Sequence, residues 1–206
     1  MTSESKKDVQ KNEPVLCLAY EVDWGWLGAI LTSAGLARHS LLLEAETVDA
    51  WLTGELGALG FAADQCRFVR LDLFEKPDAQ SSAACPFLPK LIQEARAYFQ
   101  GDVVHFDVPL DWRAGSDFQR KVWRTVQDIP YGEVRSYGEV AILCGHPGAA
   151  RAVGTAMSKN QTGLIVPCHR VVAANSIGGF STPAGTRLKK RMIEWESRNL
   201  QKRETA

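Results

Sequence analysis

The chain has 206 residues, of which 45% are hydrophobic and 23% charged, proportions typical of a globular protein rather than a disordered or fibrous one. Its 24 basic and 24 acidic residues balance, so net charge alone excludes no class of partner. No apolar run reaches the roughly 20 residues of a membrane-spanning helix, and residues 1–13 lack the apolar core of a signal peptide. We therefore expect an intracellular protein without a membrane partner, beginning with a disordered tail at 1–13.

The first half of the chain predicts a sheet. Apolar segments at 15–20, 25–31 and 36–43 are separated by short turns that contain Gly25 and Gly35, a pattern that predicts an antiparallel meander. A further strand is predicted at 66–73, and helices are predicted at 47–59 and 86–99. This half shows no pattern of reactive residues, and we assign 14–108 to an N-terminal sheet domain.

The second half predicts helices. One is capped by Ser116 or Asp117 and runs to about Gln127, and two more are predicted at 137–143 and 149–159. The last two are joined by a glycine-containing turn, which is the helix-turn-helix pattern. We assign 109–200 to a C-terminal domain.

The second helix of this pattern carries mostly small residues, and Arg151 is its one long projection. Side chains that read base edges in the major groove are long and polar, so this helix suits close approach to a narrower surface. The alternative is a helix packed inside the protein, with Arg151 in an ion pair.

Charge is divided unevenly along the chain. Residues 1–112 hold 9 Lys and Arg against 17 Asp and Glu, a balance of −8, whereas residues 113–191 hold 12 against 4, a balance of +8. Clustered positive charge is what neutralising the phosphates of a polyanion requires, so the C-terminal part is where one would bind. An unevenly charged, solvated surface is the alternative.

The five cysteines form no Cys-x-x-Cys pair, which predicts reduced thiols and no metal site. Cys168 stands out because it lies with His169 in the apolar run 165–172, which we expect to be a strand. A thiol becomes a nucleophile when its pKa is lowered and a substrate can reach it. His169 or Arg170 could lower that pKa, while Pro167 stiffens the approach to the sulfur. A buried structural cysteine is the alternative.

The segment Pro167-Cys168-His169-Arg170-Val171 resembles the active-site signature of the O6-alkylguanine-DNA alkyltransferases. Further segments match the family's motifs in order, between about Pro109 and Glu196: Phe118–Trp123, Ile129–Gly132, Ser136-Tyr137, Ala150–Gly154 and Asn160. The resemblance implies a mixed α/β fold, with a ribonuclease-H-like N-terminal sheet domain and a C-terminal helical domain containing the helix-turn-helix.

The resemblance also implies a reaction. The protein would flip O6-alkylguanine, and also O4-alkylthymine, out of duplex DNA and transfer the alkyl group irreversibly and stoichiometrically to Cys168. His169 would act as base with Glu196 as its orienter, Tyr137 would donate a proton, and Asn160 would tie the recognition helix to the active-site strand. Glu194 is the rival of Glu196, which we prefer for its spacing from Ser181 and a position near a helix end.

The same resemblance implies a single-turnover DNA repair enzyme that needs no metal or organic cofactor. Its partner would be double-stranded DNA containing O6-alkylguanine, bound through the minor groove by a monomer. The compartment would be the cytoplasm of a prokaryote or the nucleus of a eukaryote. The implied DNA-binding residues are Arg151, Tyr137, Ala149, Ala150 and Gly154, and the implied pocket residues are Pro167, Val171, Phe180 and Ser181.

Three other functions remain open. A non-catalytic lesion binder shares most of these motifs but has another residue in place of Cys168. A helix-turn-helix regulator would need polar base-reading side chains on its second helix, and these are absent from the sequence. A cysteine hydrolase would need an orienting residue and oxyanion donors, which the sequence does not reveal.

Overall fold

The computed structural model describes residues 14–182 and 184–205, and the predicted tail at 1–13 lies outside them. Contacts between residues divide the chain into two compact units. The first comprises the described residues up to Gln100 together with Phe106–Asp111. The second comprises Gly101–His105 and the described residues from Trp112 onward. The prediction of a mixed α/β fold is confirmed.

The first unit is built on a four-stranded sheet. Its strands are β1 (Val15–Val22), β2 (Gly25–Thr32), β3 (Gly35–His39) and β4 (Cys66–Leu71), in the order β3-β2-β1-β4. β1, β2 and β3 form the predicted antiparallel meander, and β4 runs parallel to β1. The meander alternates its side chains between two faces of the sheet, and both faces of β1 are buried.

Helices cover this sheet. Helix α1 (Val48–Ala58) buries Leu52 and Leu56 against a cluster that includes Cys17 and Ile30. Two more helices, α2 (Ala79–Ala84) and α3 (Leu88–Gln100), follow β4. α3 buries one apolar side and contacts β1, as its spacing of apolar residues predicted.

Two predicted strands are shorter than expected. The strand expected at 66–73 ends at Leu71. The strand expected at 36–43 ends at His39, and Leu43 rejoins the sheet through an isolated bridge to Trp26. The cause lies at Ser40, whose hydroxyl accepts a hydrogen bond from the Gly28 N–H at 2.6 Å. A side-chain oxygen thus replaces the carbonyl that would have continued the ladder.

The second unit is mainly helical. It contains α4 (Asp117–Gln127), α5 (Tyr137–Leu143), α6 (Ala150–Ser158) and α7 (Gly185–Glu204), with the short parallel strands β5 (Arg135–Ser136) and β6 (Val171–Val172). Ser116 caps α4 and Ser136 caps α5, each through a reciprocal capping box with the Gln or Glu three residues later. α5 and α6 pack on each other and on α4 as a helix-turn-helix.

Two expectations in this unit were wrong. The segment around Cys168 was expected to be a strand, but Cys168–Arg170 is a 3-10 helix and only Val171–Val172 is extended. Glu196 was expected near a helix end, but α7 continues for eight residues beyond it, to Glu204. No helix within residues 14–182 and 184–205 combines the length and apolar character needed to cross a membrane.

Candidate active site

The turn that presents Cys168 is fixed by its backbone and by Asn160. Pro167 has φ −77° and ψ 69°, and the Cys168 N–H donates to the Val166 carbonyl at 2.7 Å, which together define an inverse γ-turn. Asn160 Nδ2 donates to the same carbonyl at 2.9 Å, and its Oδ1 accepts from the Thr162 N–H at 3.1 Å. Asn160 therefore ties the end of α6 to the loop that carries the cysteine.

The Cys168 side chain is half-buried. Burial raises the pKa of its thiol, whereas a hydrogen bond from the Asn160 side chain and the charge of Lys189 lower it. The backbone N–H groups of Cys168 and His169 lower it further, although burial prevails in the protein without substrate.

His169 is fully buried and lies against Glu196. Its Nε2 is 2.7 Å from Glu196 Oε1, and both side chains are at most 1% exposed. Burial lowers the pKa of His169 more than the neighbouring carboxylate raises it, so the imidazole is neutral at neutral pH. An ionised carboxylate only accepts hydrogen bonds, so we assign the ring proton to Nε2.

Glu196 is held by His169, Arg170 and Gly132. In addition to His169, Arg170 donates through Nε and Nη2 at 3.0–3.2 Å, and the Gly132 N–H donates to Oε2 at 2.9 Å. Burial raises the pKa of Glu196, but the hydrogen bonds from His169 and Arg170 and the charge of Arg170 outweigh it and lower the pKa to about 2. Its rival Glu194 is exposed and lies 3.7 Å from Lys190.

Lys189 is a residue of this site that sequence reasoning missed. It is fully buried, and its Nζ donates to the Val171 carbonyl at 2.6 Å and to the Gly179 carbonyl at 3.0 Å. Burial lowers its pKa, and the charge of Cys168 opposes that change. Lysine is almost never fully buried unless it is paired, so its burial marks a site. The spacing of apolar residues along α7 could not reveal it, because a charged residue is not counted as buried in such a pattern.

Tyr137 lies between two glycines. A Cβ added at Gly154 would be 3.9 Å from the ring, and one added at Gly178, which has φ +71°, would be 3.2 Å from the hydroxyl. The ring centroid is 5.9 Å from Lys189 Nζ. Burial raises the pKa of Tyr137, as does the charge of Cys168, so the phenol keeps its proton at neutral pH. Gly178 lets the backbone approach this ring more closely than a side chain would allow, whereas a Cβ at Gly154 would make only ordinary contact.

Helix α6 presents small residues beside one long one. Ala149, Ala150 and Gly154 are half-buried, and Arg151 is exposed. The helix is anchored from its other side, because the indole N–H of Trp123 on α4 donates to the Ala156 carbonyl at 2.9 Å. The arrangement with Arg151 in the protein interior is therefore not the one observed.

The implied pocket residues are only partly brought together. Pro167 and Val171 are buried in the turn around Cys168. Phe180 is half-buried with its ring centroid 5.9 Å from Lys189 Nζ, whereas Ser181 is exposed. Within the described parts of the chain, no group of three or more His, Cys, Asp or Glu side chains is placed to hold a metal ion.

The comparisons with known proteins match the second unit most strongly. The family model of the DNA-binding domain of 6-O-methylguanine DNA methyltransferase matches residues 117–198. A methylated-DNA–protein-cysteine methyltransferase of Bacillus subtilis, described as constitutive, is 40% identical over 129 residues, which cover 59% of this chain and 78% of the relative. The chain belongs to the methylated-DNA–protein-cysteine methyltransferase family.

Other family members agree with this assignment. The Mycolicibacterium paratuberculosis enzyme of that name is 56% identical over 84 residues, covering 41% of this chain but only half of the relative. The crystal structure of Mycobacterium tuberculosis O6-methylguanine methyltransferase matches with a TM-score of 0.63 and 31% identity, covering 90% of this chain and 94% of that one. Mycobacterium tuberculosis OGT in complex with DNA matches with the same TM-score and 32% identity, covering 89% and 94%.

Proposed function

We propose that this protein repairs alkylated guanine in DNA by transferring the alkyl group from O6 to its own Cys168. The observation that carries the proposal is the arrangement of the half-buried Cys168 thiol next to the buried pair of His169 and Glu196. The names of the relatives support it, because they describe transfer from methylated DNA to a protein cysteine. The presence of Cys168 argues against a non-catalytic lesion binder.

The proposed reaction is an in-line displacement. The Cys168 sulfur forms a bond to the alkyl carbon while the bond from that carbon to guanine O6 breaks, leaving a thioether and a guanine anion. The thiol proton passes through water to His169, whose neutral ring can accept it. Tyr137, which keeps its proton at neutral pH, supplies the proton that the guanine anion takes up. No metal, organic cofactor or redox partner enters the balance.

We further propose that the partner is double-stranded DNA bound through its minor groove. The alkyl group on O6 lies inside the duplex, so the nucleotide must be extruded at a cost of a few kcal/mol. The small residues of α6 allow close approach of the helix, and the exposed Arg151 fills the gap that the flipped base leaves. The DNA complex of the Mycobacterium tuberculosis relative supports DNA as the partner.

We also propose that the protein reacts with O4-alkylthymine, acts as a monomer and is intracellular. Phe180 and Ser181 are proposed to line the pocket for the alkylated base. Because a thioether has no good leaving group, each molecule is expected to react once.

The decisive experiment is mass analysis of the protein after it is mixed with a duplex containing O6-methylguanine. One methyl group per molecule on the peptide that contains Cys168 is expected, and Cys168→Ala should gain none. Cys144 is the internal control, since it is buried and its thiol donates to the Ala141 carbonyl. A methyl group on Cys144, or repeated turnover, would contradict the assignment.

Arg151→Ala tests the extrusion step. It should slow transfer from duplex DNA while preserving most of the reaction with the free base O6-benzylguanine, which needs no flipping. Arg198→Ala, which removes an exposed arginine on α7, is the matched control and should affect neither reaction. Equal losses on both substrates would mean that Arg151 has a structural role.

A further inference from the structure

Arg170 is one of the most constrained side chains of the site, and it is buried. Its Nε and Nη2 donate to the two carboxylate oxygens of Glu196, and its Nη1 donates to the Ile129 carbonyl at 2.7 Å. The guanidinium carbon lies 5.6 Å from the centroid of the Tyr131 ring. A planar group held at both edges and over an aromatic ring cannot rotate without breaking several contacts.

This constraint reaches His169 through Glu196. Oε1, which faces His169 Nε2, also accepts from Arg170, so the guanidinium fixes the carboxylate plane that the imidazole meets. A neutral imidazole has one N–H, and the ionised carboxylate places it on Nε2. Nδ1 is then the ring atom that can take a proton.

Two of the three charged groups that face His169 favour its neutral form. Those that face it are Glu196 and Lys189 from α7 and Arg170 from its own 3-10 helix. Burial, Arg170 and Lys189 lower the pKa of His169, and Glu196 raises it. Around Glu196 the facing groups are His169, Arg170 and the Tyr131 phenol. Removing the Arg170 charge would leave Glu196 to favour the imidazolium form.

We propose that Arg170 is a positioning residue for the alkyl transfer: by clamping Glu196, it holds His169 as the neutral Nε2–H tautomer. This inference rests on the proposed function and deepens it, because it assigns the third member of the group that prepares the base. A purely structural ion pair would stabilise the fold without setting the protonation state of His169.

The test is the pH dependence of single-turnover methyl transfer by wild type, Arg170→Gln and Arg170→Lys. In Arg170→Gln, the acidic limb of the rate profile should move to higher pH, and a movement of one unit means an about tenfold lower rate on that limb. Arg170→Lys restores the charge, so its limb should return towards that of wild type, although a lysine cannot bind both oxygens in the same way. Arg203→Gln, which removes an exposed ion pair with Asp102, is the control.

A uniform fall in rate with an unmoved acidic limb in Arg170→Gln would overturn the inference. Nitrogen NMR of the His169 ring gives a readout that needs no activity and no variant: wild type should be protonated at Nε2 and not at Nδ1 at neutral pH. Protonation at Nδ1 alone would also overturn it, even if Arg170→Gln does not fold. If wild type transfers no methyl group but its His169 shows the expected tautomer, the proposed function is contradicted, whereas the inference that Arg170 and Glu196 hold this tautomer is not.

Discussion

Replacing Glu196 with glutamine keeps the size of the side chain but removes a charge that several hydrogen-bond donors face. His169, the Arg170 guanidinium and the Gly132 N–H all meet this carboxylate, which is 1% exposed. The amide of glutamine would turn a donor towards groups that are themselves donors. Breaking a buried ion pair by removing one partner costs about 3–5 kcal/mol, because the other charge is left uncompensated. The loss is a large fraction of a typical total stability of about 5–15 kcal/mol.

Thermal unfolding of the second unit would measure this loss. A loss of 1 kcal/mol lowers the melting temperature of a domain of this size by about 4–8 °C, so Glu196→Gln should melt roughly 12 °C or more below wild type. Glu194→Gln is the matched control on the same helix, and loss of its exposed pair with Lys190 should cost about 0.5 kcal/mol at most. If the two variants melt within about 4 °C of each other, the reasoning from the buried charge is wrong.

Three further predictions concern pH, charge and the reacted protein. The pKa of Glu196 falls from 4.5 to about 2 on folding, so its carboxylate contributes to the free energy of unfolding above pH 4.5, and this contribution is lost as the pH falls towards 2. The stability difference between wild type and Glu196→Gln should therefore narrow over that range. Lys189→Met should raise the pKa of Cys168, measured by the pH dependence of thiol alkylation with iodoacetamide, whereas the exposed neighbour Lys190→Met should leave it unchanged. Protein methylated on Cys168 should melt below the free form and lose hydrogen-exchange protection first across residues 149–171, since overpacking typically costs about 1–3 kcal/mol; unchanged protection there would contradict this.

Most of the fold could be predicted because local signals agreed with it. The ends of α4, α5 and α6 were predicted from the cap at Ser116 or Asp117 and from the glycine-containing turn, and each predicted boundary lies within one residue of the observed one. The first two strands followed from continuous apolar runs between turn residues. These signals involve neighbours in sequence, which is why they can be read without the fold.

Helix α7 could not be predicted from apolar periodicity because its buried side is largely polar. Its buried residues are Leu188, Lys189, Met192, Glu196 and Asn199. Their spacing is helical, but three of the five carry charges or amides, so a search for apolar residues does not find the face. Those polar residues are satisfied by groups distant in sequence, such as the Val171 carbonyl and Arg170, and only the folded chain shows this.

The turn at Cys168 was missed for a different reason. The run 165–172 has the β-branched, apolar composition of a strand, and Pro167 was taken to favour extended backbone. In the fold, Pro167 is the centre of the inverse γ-turn, and the residues after it coil into the 3-10 helix. Pro167 therefore turns the backbone at a position where the composition of the run had indicated an extended strand.

The position of Lys189 and Glu196 on one helix also bears on how relatives of this protein can diverge. The two residues are seven apart, about two helical turns, so the pitch of α7 fixes the spacing between the Lys189 ammonium and the Glu196 carboxylate. In the loop before α7, the Gly179 carbonyl accepts a hydrogen bond from Lys189 Nζ. On the proposed function, changes of length between Gly179 and Gly185 are expected to alter the room for the alkyl group while Lys189 and Glu196 keep their spacing, so that substrate range and chemistry would evolve separately.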